Sequence, residues 1–539
     1  MSNPKNPIQK PCIFLYGPSG SGKSTVGKIL ADSLKLDFVD LDLEIETLSG
    51  MSIPKIFASQ GEPGFREWEH QALLKVLTSA VKVVALGGGA LTAPRNRELV
   101  EANGCVVLLN AAAETLLSRI QDDSVERPLL NASANNPLQP GELEAAENKL
   151  KALLERRAQH YASFGLRINT DGRTPAQIAW ELQVLLGRFH LQGMSSTKYP
   201  AYDVIVQPGG LDDLGWMLQE RQLRGPVVLV TDDHVAGPYL SRATTSLVNA
   251  GFETSHIQIP AGEKHKTLDT VSQLWGAFGS AKIERSSTIV ALGGGVIGDL
   301  AGFAAASWLR GTAWVVVPTS LLAMVDASMG GKTGFDLPQG KNLIGAFHPP
   351  RLVLADPEVL ATLPQVERIN GMAEVVKHGV IADPGLFEIC RNLNNLDDLS
   401  SLVSRAMAVK VKFIEEDPYE QGIRAALNLG HTVGHGVELA SGFKLRHGEA
   451  VAIGMVAEAQ MAKQIGLAKA GLADEIAAVL KIVGLPTEIP AELDRNKIIN
   501  AMTLDKKKAG GVVKFALPVA IGNVSVGIVI EDWSKMLFN

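Results

Sequence analysis

The stretch CIFLYGPSGSGKSTVGKILADSL, residues 12–34, predicts the fold of the first part of the chain. Residues 12–16 are apolar, as in a short buried strand, and residues 23–34 have the apolar spacing of an amphipathic helix. A glycine-rich turn joins the two. The order strand, glycine turn, helix is the unit from which parallel α/β sheets are built. We therefore expect an α/β fold with a parallel sheet.

This alternation of strands and helices predicts the domain organisation. We place a first α/β domain at residues 1–186, and a linker at the polar, Gly/Ser-containing residues 187–200. A second α/β series of Rossmann type follows at residues 201–363. Helical patterns dominate residues 364–539, which predict a mainly α-helical, metal-binding subdomain.

The composition excludes several classes of function. Hydrophobic residues make up 46% and charged residues 20% of the 539 residues, which is typical of a globular chain with more than one core. The formal net charge is −6 and basic residues form no long block, so we expect no nucleic-acid partner. Three widely spaced cysteines indicate a reducing compartment. Without an apolar signal core or a run of about 20 apolar residues, we expect a cytoplasmic protein without a membrane partner.

The residues GPSGSGKS, 17–24, match the phosphate-binding P-loop. Backbone N–H groups of such a loop surround phosphates, Lys23 would reach the β- and γ-phosphates, and the Ser24 hydroxyl would bind Mg²⁺. The expected ATP-binding residues are Gly17, Gly20, Ser21, Gly22, Lys23, Ser24 and Thr25. The motif predicts nucleotide binding but leaves the phosphoryl acceptor open.

Two carboxylates, Asp40 and Asp42, follow at a predicted strand end, where ligands of such sheets bind. One can hold Mg²⁺, and the other can accept hydrogen bonds, or the proton, of a substrate hydroxyl. A solvated acidic turn is the alternative.

The motifs GPSGSGKS, FVDLD, GFREWE, ALGGGA and RPLL together resemble shikimate kinase over residues 10–185. The resemblance implies that Asp40 serves the metal and that catalytic Asp42 holds shikimate hydroxyls. The other residues that it implies for shikimate are Arg66, Arg157, Gly87, Gly88 and Gly89. It implies a catalytic Arg127 on a lid and an adenine contact by Arg119. The segment after RPLL, residues 131–149, is longer than the usual lid.

A second glycine turn, GGGVIGD at residues 293–299, predicts a site for the pyrophosphate of a dinucleotide at a helix N-terminus. A tight turn without a ligand is the alternative for glycines alone. Supporting side chains lie at other strand ends and loops. The candidate NAD-binding residues are Asp232, Glu263, Lys266, Gly293, Gly294, Gly295, Gly298, Asp299, Thr319, Ser320 and Lys341.

Charged residues and histidines follow in the second half. GGKTGFDLPQGKNLIG, residues 330–345, has the composition of a loop that receives a small anionic substrate. His431 and His435 are four residues apart, so they lie on one face of a helix and can share a metal ion. His447 adds a third imidazole, and Glu374 a carboxylate. The sequence therefore predicts a metal site.

Together these motifs resemble 3-dehydroquinate synthase from about Tyr199 nearly to the C-terminus. The resemblance implies Zn²⁺, or Co²⁺, on Glu374, His431 and His447, with His435 beside the substrate, whereas helical spacing favours His431 with His435. It also implies a homodimer in which Arg310 reaches the substrate phosphate across the dimer interface. The substrate residues that it implies are Arg310, Asp326, Lys332, Asn342, Lys377, Lys410, Arg424, Asn428, His435, Lys506 and Lys507. The catalytic residues among them are Lys332, Lys377, Arg424 and His435.

The two resemblances predict one bifunctional enzyme of the shikimate pathway with ATP, Mg²⁺, NAD⁺ and Zn²⁺ as ligands. The first activity would phosphorylate shikimate. The second would convert 3-deoxy-D-arabino-heptulosonate 7-phosphate to 3-dehydroquinate and phosphate with no net use of NAD⁺. Two alternatives remain. The second half could be a metal- and NAD-dependent polyol dehydrogenase, and the first half could be a nucleotide-responsive module without catalysis.

Overall fold

The computed structural model describes residues 12–78, 81–122, 140–192, 201–393, 399–508 and 512–538, without the side chains of residues 140–143 and 504–508. The chain divides into two compact units, Met1–Gln183 and Val184–Asn539. We call them the first and the second unit. Among the described residues, no helix combines the length and the apolar character that crossing a membrane requires.

The first unit is an α/β domain, as the sequence predicts. Its strands are β1 (Cys12–Tyr16), β2 (Asp37–Asp40), β3 (Lys82–Ala85), β4 (Gly104–Asn110) and β5 (Leu166–Asn169). The helices are α1 (Lys23–Leu34), α2 (Leu41–Ser49), α3 (Ile53–Val76), α4 (Pro94–Asn103), α5 (Ala113–Gln121), α6 (Pro140–Ala162) and α7 (Pro175–Leu186), the last of which crosses the division.

These strands form one parallel sheet in the order β2-β3-β1-β4-β5. Every residue of the central strand β1 is buried, because a parallel sheet is covered on both faces. The carboxyl ends of β1, β2 and β3 carry the P-loop, the Asp40 pair and the first ALGGG turn. The sheet therefore brings these three motifs to one edge.

The second unit begins with an α/β part. The strands of the unit are β6 (Arg188–Leu191), β7 (Tyr202–Val206), β8 (Val227–Asp232), β9 (Thr254–Ile259), β10 (Thr288–Gly293), β11 (Ala313–Pro318), β12 (Lys332–Leu337), β13 (Gly340–Phe347), β14 (Leu352–Ala355), β15 (Phe515–Ala520) and β16 (Asn523–Ile528). The helices of this part are α8 (Leu214–Glu220), α9 (Asp233–Val235), α10 (Ser241–Asn249), α11 (Leu268–Ser280) and α12 (Gly295–Ser307).

The main sheet has the order β6-β7-β14-β11-β10-β8-β9 and is parallel except for the antiparallel pair β6–β7. Strand β6 lies within residues 187–200, so the prediction of a linker is wrong for these four residues. Phe189 and Leu191 are buried at alternate positions, which is strand patterning that the neighbouring glycines and serines obscure in the sequence. Residues 193–200 lie outside the described part of the chain.

The remainder of the second unit is mainly helical. Its helices are α13 (Gln365–Ile381), α14 (Pro384–Arg391), α15 (Ser400–Glu416), α16 (His431–Ala440), α17 (His447–Gln464), α18 (Leu472–Ile482), α19 (Arg495–Lys508) and α20 (Trp533–Met536). Helix α17 is buried around most of its circumference and contains many small residues. Such a helix occupies the centre of a bundle, and α13, α16 and α18 pack on it.

Candidate active sites

The P-loop of the first unit depends on glycines with positive φ. Gly17, Gly20 and Gly22 have φ angles of 139°, 81° and 90°, which a side chain would strain. A Cβ atom on Gly17 would lie 2.1 Å from the Leu109 carbonyl oxygen. Lys23 Nζ donates to the carbonyl oxygens of Gly17 at 2.8 Å and Pro18 at 2.9 Å. The lysine ammonium thus lies over the loop whose N–H groups could bind phosphate.

Asp40 and Ser24 form the pair that could hold Mg²⁺. Ser24 Oγ donates to Asp40 Oδ2 at 2.5 Å, and Asp40 Oδ1 accepts the backbone N–H of Asp42 at 3.1 Å. The second bond caps helix α2. Asp42 therefore lies in the first turn of a helix and not on the strand, and the cap fixes the orientation of Asp40 toward the P-loop.

The first ALGGG turn lies against two arginines. A Cβ atom on Gly89 would be 2.6 Å from Arg66 Nη2 and 3.1 Å from Arg157 Nη2, and Arg157 Nη1 donates to the Gly88 carbonyl oxygen at 2.8 Å. A Cβ on Gly87 would be 3.1 Å from Asp42 Oδ1. Two guanidinium groups and one carboxylate thus surround this turn, as a site for a hydroxylated carboxylic acid requires.

Sequence reasoning missed Glu69. Its carboxylate is fully buried and accepts two hydrogen bonds from Arg66 Nη1, at 3.0 and 2.9 Å. Burial raises the pKa of Glu69 to about 7, and the charge of Arg66 opposes the rise. Arg66 and Glu69 are three residues apart on α3, and this helical spacing is the signal that could have found the pair.

The remaining residues predicted for the first unit lie at the P-loop or beside it, or fall outside the described residues. Arg119 lies beside the P-loop and donates to Thr170 Oγ1 at 2.9 Å and to the Gly20 carbonyl oxygen at 3.4 Å. Ser21 is buried, and Thr25 is exposed on the first turn of α1. Arg127 lies outside the described residues, as do residues 131–139 of the long lid segment.

The second glycine turn, residues 293–295, joins β10 to α12 as predicted. A cavity opens beside it. The residues that line this cavity are Gly293, Gly294, Gly295, Gly298, Asp299, Trp314, Val316, Ala323, Ala327, Ser328, Gly331 and Lys332. Lys266 Nζ lies 2.6 Å from Asp299 Oδ2 and donates to Asn342 Oδ1 at 2.5 Å. The predicted dinucleotide and substrate residues therefore meet in one network.

The other predicted NAD residues lie at strand ends and nearby loops. Asp232 ends β8, and its Oδ1 accepts the backbone N–H groups of His234 and Val235, each at 3.0 Å. Thr319 and Ser320 follow β11. Lys341 Nζ lies 3.8 Å from Glu263 Oε1.

The segment at residues 330–345 is not the predicted loop. Most of it forms the antiparallel hairpin β12–β13, in which Lys332 begins β12 and Asn342 has a φ of 53° near the turn. The prediction failed because glycines at 334 and 345 suggest a loop. Instead, these glycines let the two strands approach: a Cβ on Gly334 would be 2.3 Å from the Ile344 carbonyl oxygen.

Three cations, of which Lys410 and Arg424 are buried and Lys332 is exposed, lie near the start of this hairpin. Lys410 Nζ donates to Asp326 Oδ1 at 2.5 Å and is buried, so desolvation lowers its pKa. The side chain of Arg424 is buried and lies 2.6 Å from where a Cβ of Gly330 would be. Lys332 forms an ion pair with Glu420. Together they provide the positive charge that an anionic substrate needs.

Four of the predicted substrate residues are either exposed or have side chains outside the described part of the chain. Asn428 is exposed at the end of a 3₁₀ turn, Ile423–Asn428. Arg310 is exposed and has a φ of 68°, next to Leu309 with a φ of 49°. The side chains of Lys506 and Lys507 lie outside the described residues.

Glu374, His431 and His447 form a candidate metal site. Glu374 Oε1 lies 3.6 Å from His431 Nε2 and 3.6 Å from His447 Nε2. One ligand atom from each residue lies within 4.8 Å of the others. Two imidazoles and a carboxylate are the donor set of catalytic zinc sites that keep a position open for substrate.

Glu374 gives this site its charge. The carboxylate is fully buried beside the Lys377 ammonium, and within the described residues neither oxygen has a hydrogen bond of acceptable geometry. The Lys377 ammonium pairs with Oε2, so Oε1, which lies 3.6 Å from both imidazoles, is the oxygen that a metal ion would satisfy. Burial and the nearby Lys377 charge lower the pKa of His431 to about 3, which leaves its imidazole neutral. The residues present therefore fit a divalent metal ion.

His435 lies beside this set, in a different position. Its ring centroid is 5.2 Å from that of His431 and 6.0 Å from that of His447, and the residue is exposed. Sequence reasoning missed Glu438, which lies in the last turn of α16 and whose Oε2 lies 3.8 Å from His447 Nδ1. Lys341 Nζ lies 3.2 Å from Glu438 Oε1 and so connects the hairpin to this carboxylate.

Comparison with known proteins gives two family assignments. The family model described as shikimate kinase matches residues 19–186. The models described as 3-dehydroquinate synthase N-terminal and C-terminal match residues 256–370 and 371–508.

Individual relatives agree with the second assignment. The 3-dehydroquinate synthase of Nostoc punctiforme is 47% identical over 335 residues, 60% of this chain and 92% of that protein. The synthase of a Synechococcus strain is 46% identical over 337 residues, again 60% and 92%. The solved structure of ValA, a 2-epi-5-epi-valiolone synthase from Streptomyces hygroscopicus with NAD⁺ and Zn²⁺ bound, is 28% identical. It covers 64% of this chain and 97% of that chain, with a TM-score of 0.58.

Proposed function

Because the chain belongs to the 3-dehydroquinate synthase family and carries a shikimate kinase region ahead of it, we propose residue roles for two reactions of the shikimate pathway. The chain is a bifunctional enzyme. Its first unit phosphorylates shikimate with ATP and Mg²⁺, and its second unit converts 3-deoxy-D-arabino-heptulosonate 7-phosphate to 3-dehydroquinate and phosphate. The fold expected from the sequence, an α/β chain with parallel sheets and a helical C-terminal region, is confirmed.

In the first unit, the observation that supports our assignment is the convergence of Arg66, Arg157 and Asp42 on the ALGGG turn. The two guanidinium groups bind the shikimate carboxylate, because arginine matches a carboxylate bidentately. Asp42 accepts hydrogen bonds from shikimate hydroxyls and receives the proton of the attacking hydroxyl. Lys23 would hold the transferred phosphate, and Asp40 with Ser24 would hold Mg²⁺.

In the second unit, the observation that supports our assignment is the set Glu374, His431 and His447, whose ligand atoms lie within 4.8 Å of one another beside the buried Lys377 ammonium. These three residues would hold Zn²⁺. When bound, Zn²⁺ supplies a Lewis acid for substrate oxygens, and NAD⁺, along the 293–295 turn, supplies a reversible hydride acceptor.

The protein residues around this site orient the substrate. Lys332, Lys377, Lys410 and Arg424 provide positive charge for the carboxylate and phosphate groups of the heptulosonate substrate. Exposed His435 lies where it can exchange protons between the substrate and water. The remaining substrate contacts come from Asp326, Asn342 and Asn428.

We further propose a homodimer that forms through the second unit. Leu343, Ile344 and Phe347 expose 42%, 38% and 50% of their surfaces on the hairpin, and Leu309 exposes 42% beside Arg310. Neighbouring exposed apolar side chains favour an interface, and a second copy could carry Arg310 to the phosphate. Sedimentation of the Phe347→Glu variant should show monomers; a wild-type monomer would refute the dimer.

We propose a cytoplasmic location. All three cysteines lie in described residues and form no disulfide, as in a reducing compartment.

The decisive experiment measures both activities on one preparation. Shikimate-dependent ADP formation reports the first unit, and phosphate release from the heptulosonate substrate reports the second. Lys23→Ala should abolish only the first activity, and Glu374→Gln only the second, because the sites belong to separate compact units. ATP turnover that ignores shikimate would favour a nucleotide-responsive module. Accumulation of NADH would favour a polyol dehydrogenase.

A further inference from the structure

The three residues of the candidate zinc site are carried by three helices, and side chains on α13 and α17 cap the starts of α17 and α16, respectively. His431 is the first residue of α16, His447 is the first residue of α17, and Glu374 lies within α13. The first residue of a helix has an unpaired backbone N–H and frays easily unless another group satisfies the helix end. The positions of both histidines therefore depend on how these two helix ends are held.

Glu458 holds the end of α16. This residue lies on α17 and is fully buried. Its Oε2 accepts the backbone N–H of Gly430 at 2.5 Å, and its Oε1 accepts that of Val433 at 3.1 Å. The two N–H groups flank His431 in the chain. A single buried carboxylate thus fixes the backbone on both sides of this histidine.

Asn370 holds the end of α17 in the same way. It lies on α13, one turn before Glu374, and is buried. Its Oδ1 accepts the backbone N–H of Gly448 at 2.7 Å, the residue next to His447. A Cβ on Gly448 would lie 2.0 Å from the Asn370 carbonyl oxygen, so only glycine permits this approach.

Glycines also allow α16 and α17 to approach closely enough for the first cap. A Cβ on Gly454 would lie 2.0 Å from the Gly430 carbonyl oxygen, and one on Gly434 would lie 2.9 Å from the Ala450 carbonyl oxygen. Glu458 is one helical turn beyond Gly454, so the close crossing places its carboxylate at the start of α16.

We propose that Glu458 and Asn370 are positioning residues of the zinc site, which set the angle and spacing of His431 and His447 relative to Glu374. The inference rests on the proposed zinc site. Helix α13 carries one ligand and caps α17, and α17 carries the second ligand and caps the helix of the third. These two caps connect the three ligand-bearing helices into one rigid unit, although neither capping side chain would contact the metal ion.

The alternative is that Glu458 and Asn370 only stabilise the helix ends and have no effect on the metal ligands. The chain offers a matched control that distinguishes the two roles. Asp356 is also a fully buried carboxylate of the second unit. It accepts the backbone N–H groups of Gly209 at 2.9 Å, Leu211 at 3.1 Å and Glu358 at 3.0 Å. The Asp356→Asn variant therefore alters the same kind of cap away from the metal ligands.

The experiment uses the full chain, stripped of metal and titrated with Zn²⁺ against a chelator, and then loaded with Co²⁺ for its visible absorption spectrum. Glu458→Gln and Asn370→Ala should each weaken Zn²⁺ binding about 10–100-fold, as changes to groups that orient metal ligands do. Both should shift the Co²⁺ bands. Asp356→Asn should leave affinity and spectrum unchanged even if it lowers the melting temperature.

Wild-type affinity and spectrum in both folded cap variants would overturn the proposal, as would equal losses in Asp356→Asn. NAD⁺ binding checks that the second unit is folded. If Glu458→Gln does not fold, Glu458→Asp and Asn370→Ala carry the test. The His447→Ala variant tests the zinc site separately from the positioning residues. If this variant keeps stoichiometric zinc, the proposed zinc site is wrong, and so is the positioning role that depends on it.

Discussion

Replacing Glu69 by glutamine is expected to change how the stability of the first unit depends on pH. The carboxylate of Glu69 is fully buried and accepts two hydrogen bonds from Arg66, at 3.0 and 2.9 Å, and one from Asn96 Nδ2 at 3.4 Å. Burial raises its pKa from 4.5 to about 7 despite that pairing. The ionised carboxylate is therefore held in the folded chain at a cost in stability.

The size and sign of this cost follow from the two pKa values. As the pH rises, the unfolded chain releases this proton before the folded chain does. Protonation of Glu69 therefore favours the folded chain. Its contribution to the free energy of unfolding is fully present below about pH 4.5 and is lost as the pH rises through about 7. The full difference corresponds to about 3 kcal/mol, and about 2 kcal/mol of it falls between about pH 5 and pH 8.

Hydrogen exchange of amides in β1, β3 and β4 measures the opening free energy of the first unit separately from the second. Between about pH 5 and pH 8, the opening free energy of the wild-type first unit should fall by about 2 kcal/mol relative to that of the Glu69→Gln variant. The variant should also raise the KM for shikimate at least about tenfold, because Arg66 loses a charged hydrogen-bond partner. Phosphate release by the second unit is the control. Parallel pH profiles for the two proteins would refute the reasoning.

Other variants test the remaining assignments. His447→Ala should lose zinc and synthase activity together, whereas His435→Ala should keep about one equivalent of zinc and turn over slowly; metal analysis with the opposite result would favour the helical pair of His431 with His435. Gly89→Ala should raise the KM for shikimate about tenfold or more, because the new Cβ would lie 2.6 Å from Arg66 Nη2 and displace it; steady-state kinetics with an unchanged KM would contradict this.

The motifs that the sequence predicted well are those formed by neighbouring residues. The P-loop is one continuous strand, turn and helix, and helix α1 has the predicted bounds, Lys23–Leu34. The second glycine turn likewise joins β10 to α12 as predicted. In both cases, the bonds that form the structure connect residues close in the chain, so local patterns are sufficient.

The predictions that failed involve pairing across a distance. Strand β6 pairs with β7, and β12 pairs with β13. The glycines and polar residues near these strands are typical of a linker and of a loop, so the sequence predicted no strands there. Strand pairing depends on a partner that the local pattern does not contain. Glu69 was missed for a related reason: an acid next to an arginine on a helix is usually solvated, and only the fold buries it.

The sequence by itself predicted a phosphate-binding loop and a metal site from particular residue types at particular spacings, and the resemblance of its motifs to two families implied the two reactions. The resemblance to 3-dehydroquinate synthase implied Glu374, His431 and His447 as ligands, and the tertiary structure shows how these three side chains come together. Spacing favoured His431 with His435, but the packing of α13, α16 and α17 places Glu374 Oε1 at 3.6 Å from both His431 and His447. Helical periodicity can align neighbours on one face, whereas a metal site requires donors that converge from several directions. Buried caps and close glycine contacts between helices provide that convergence.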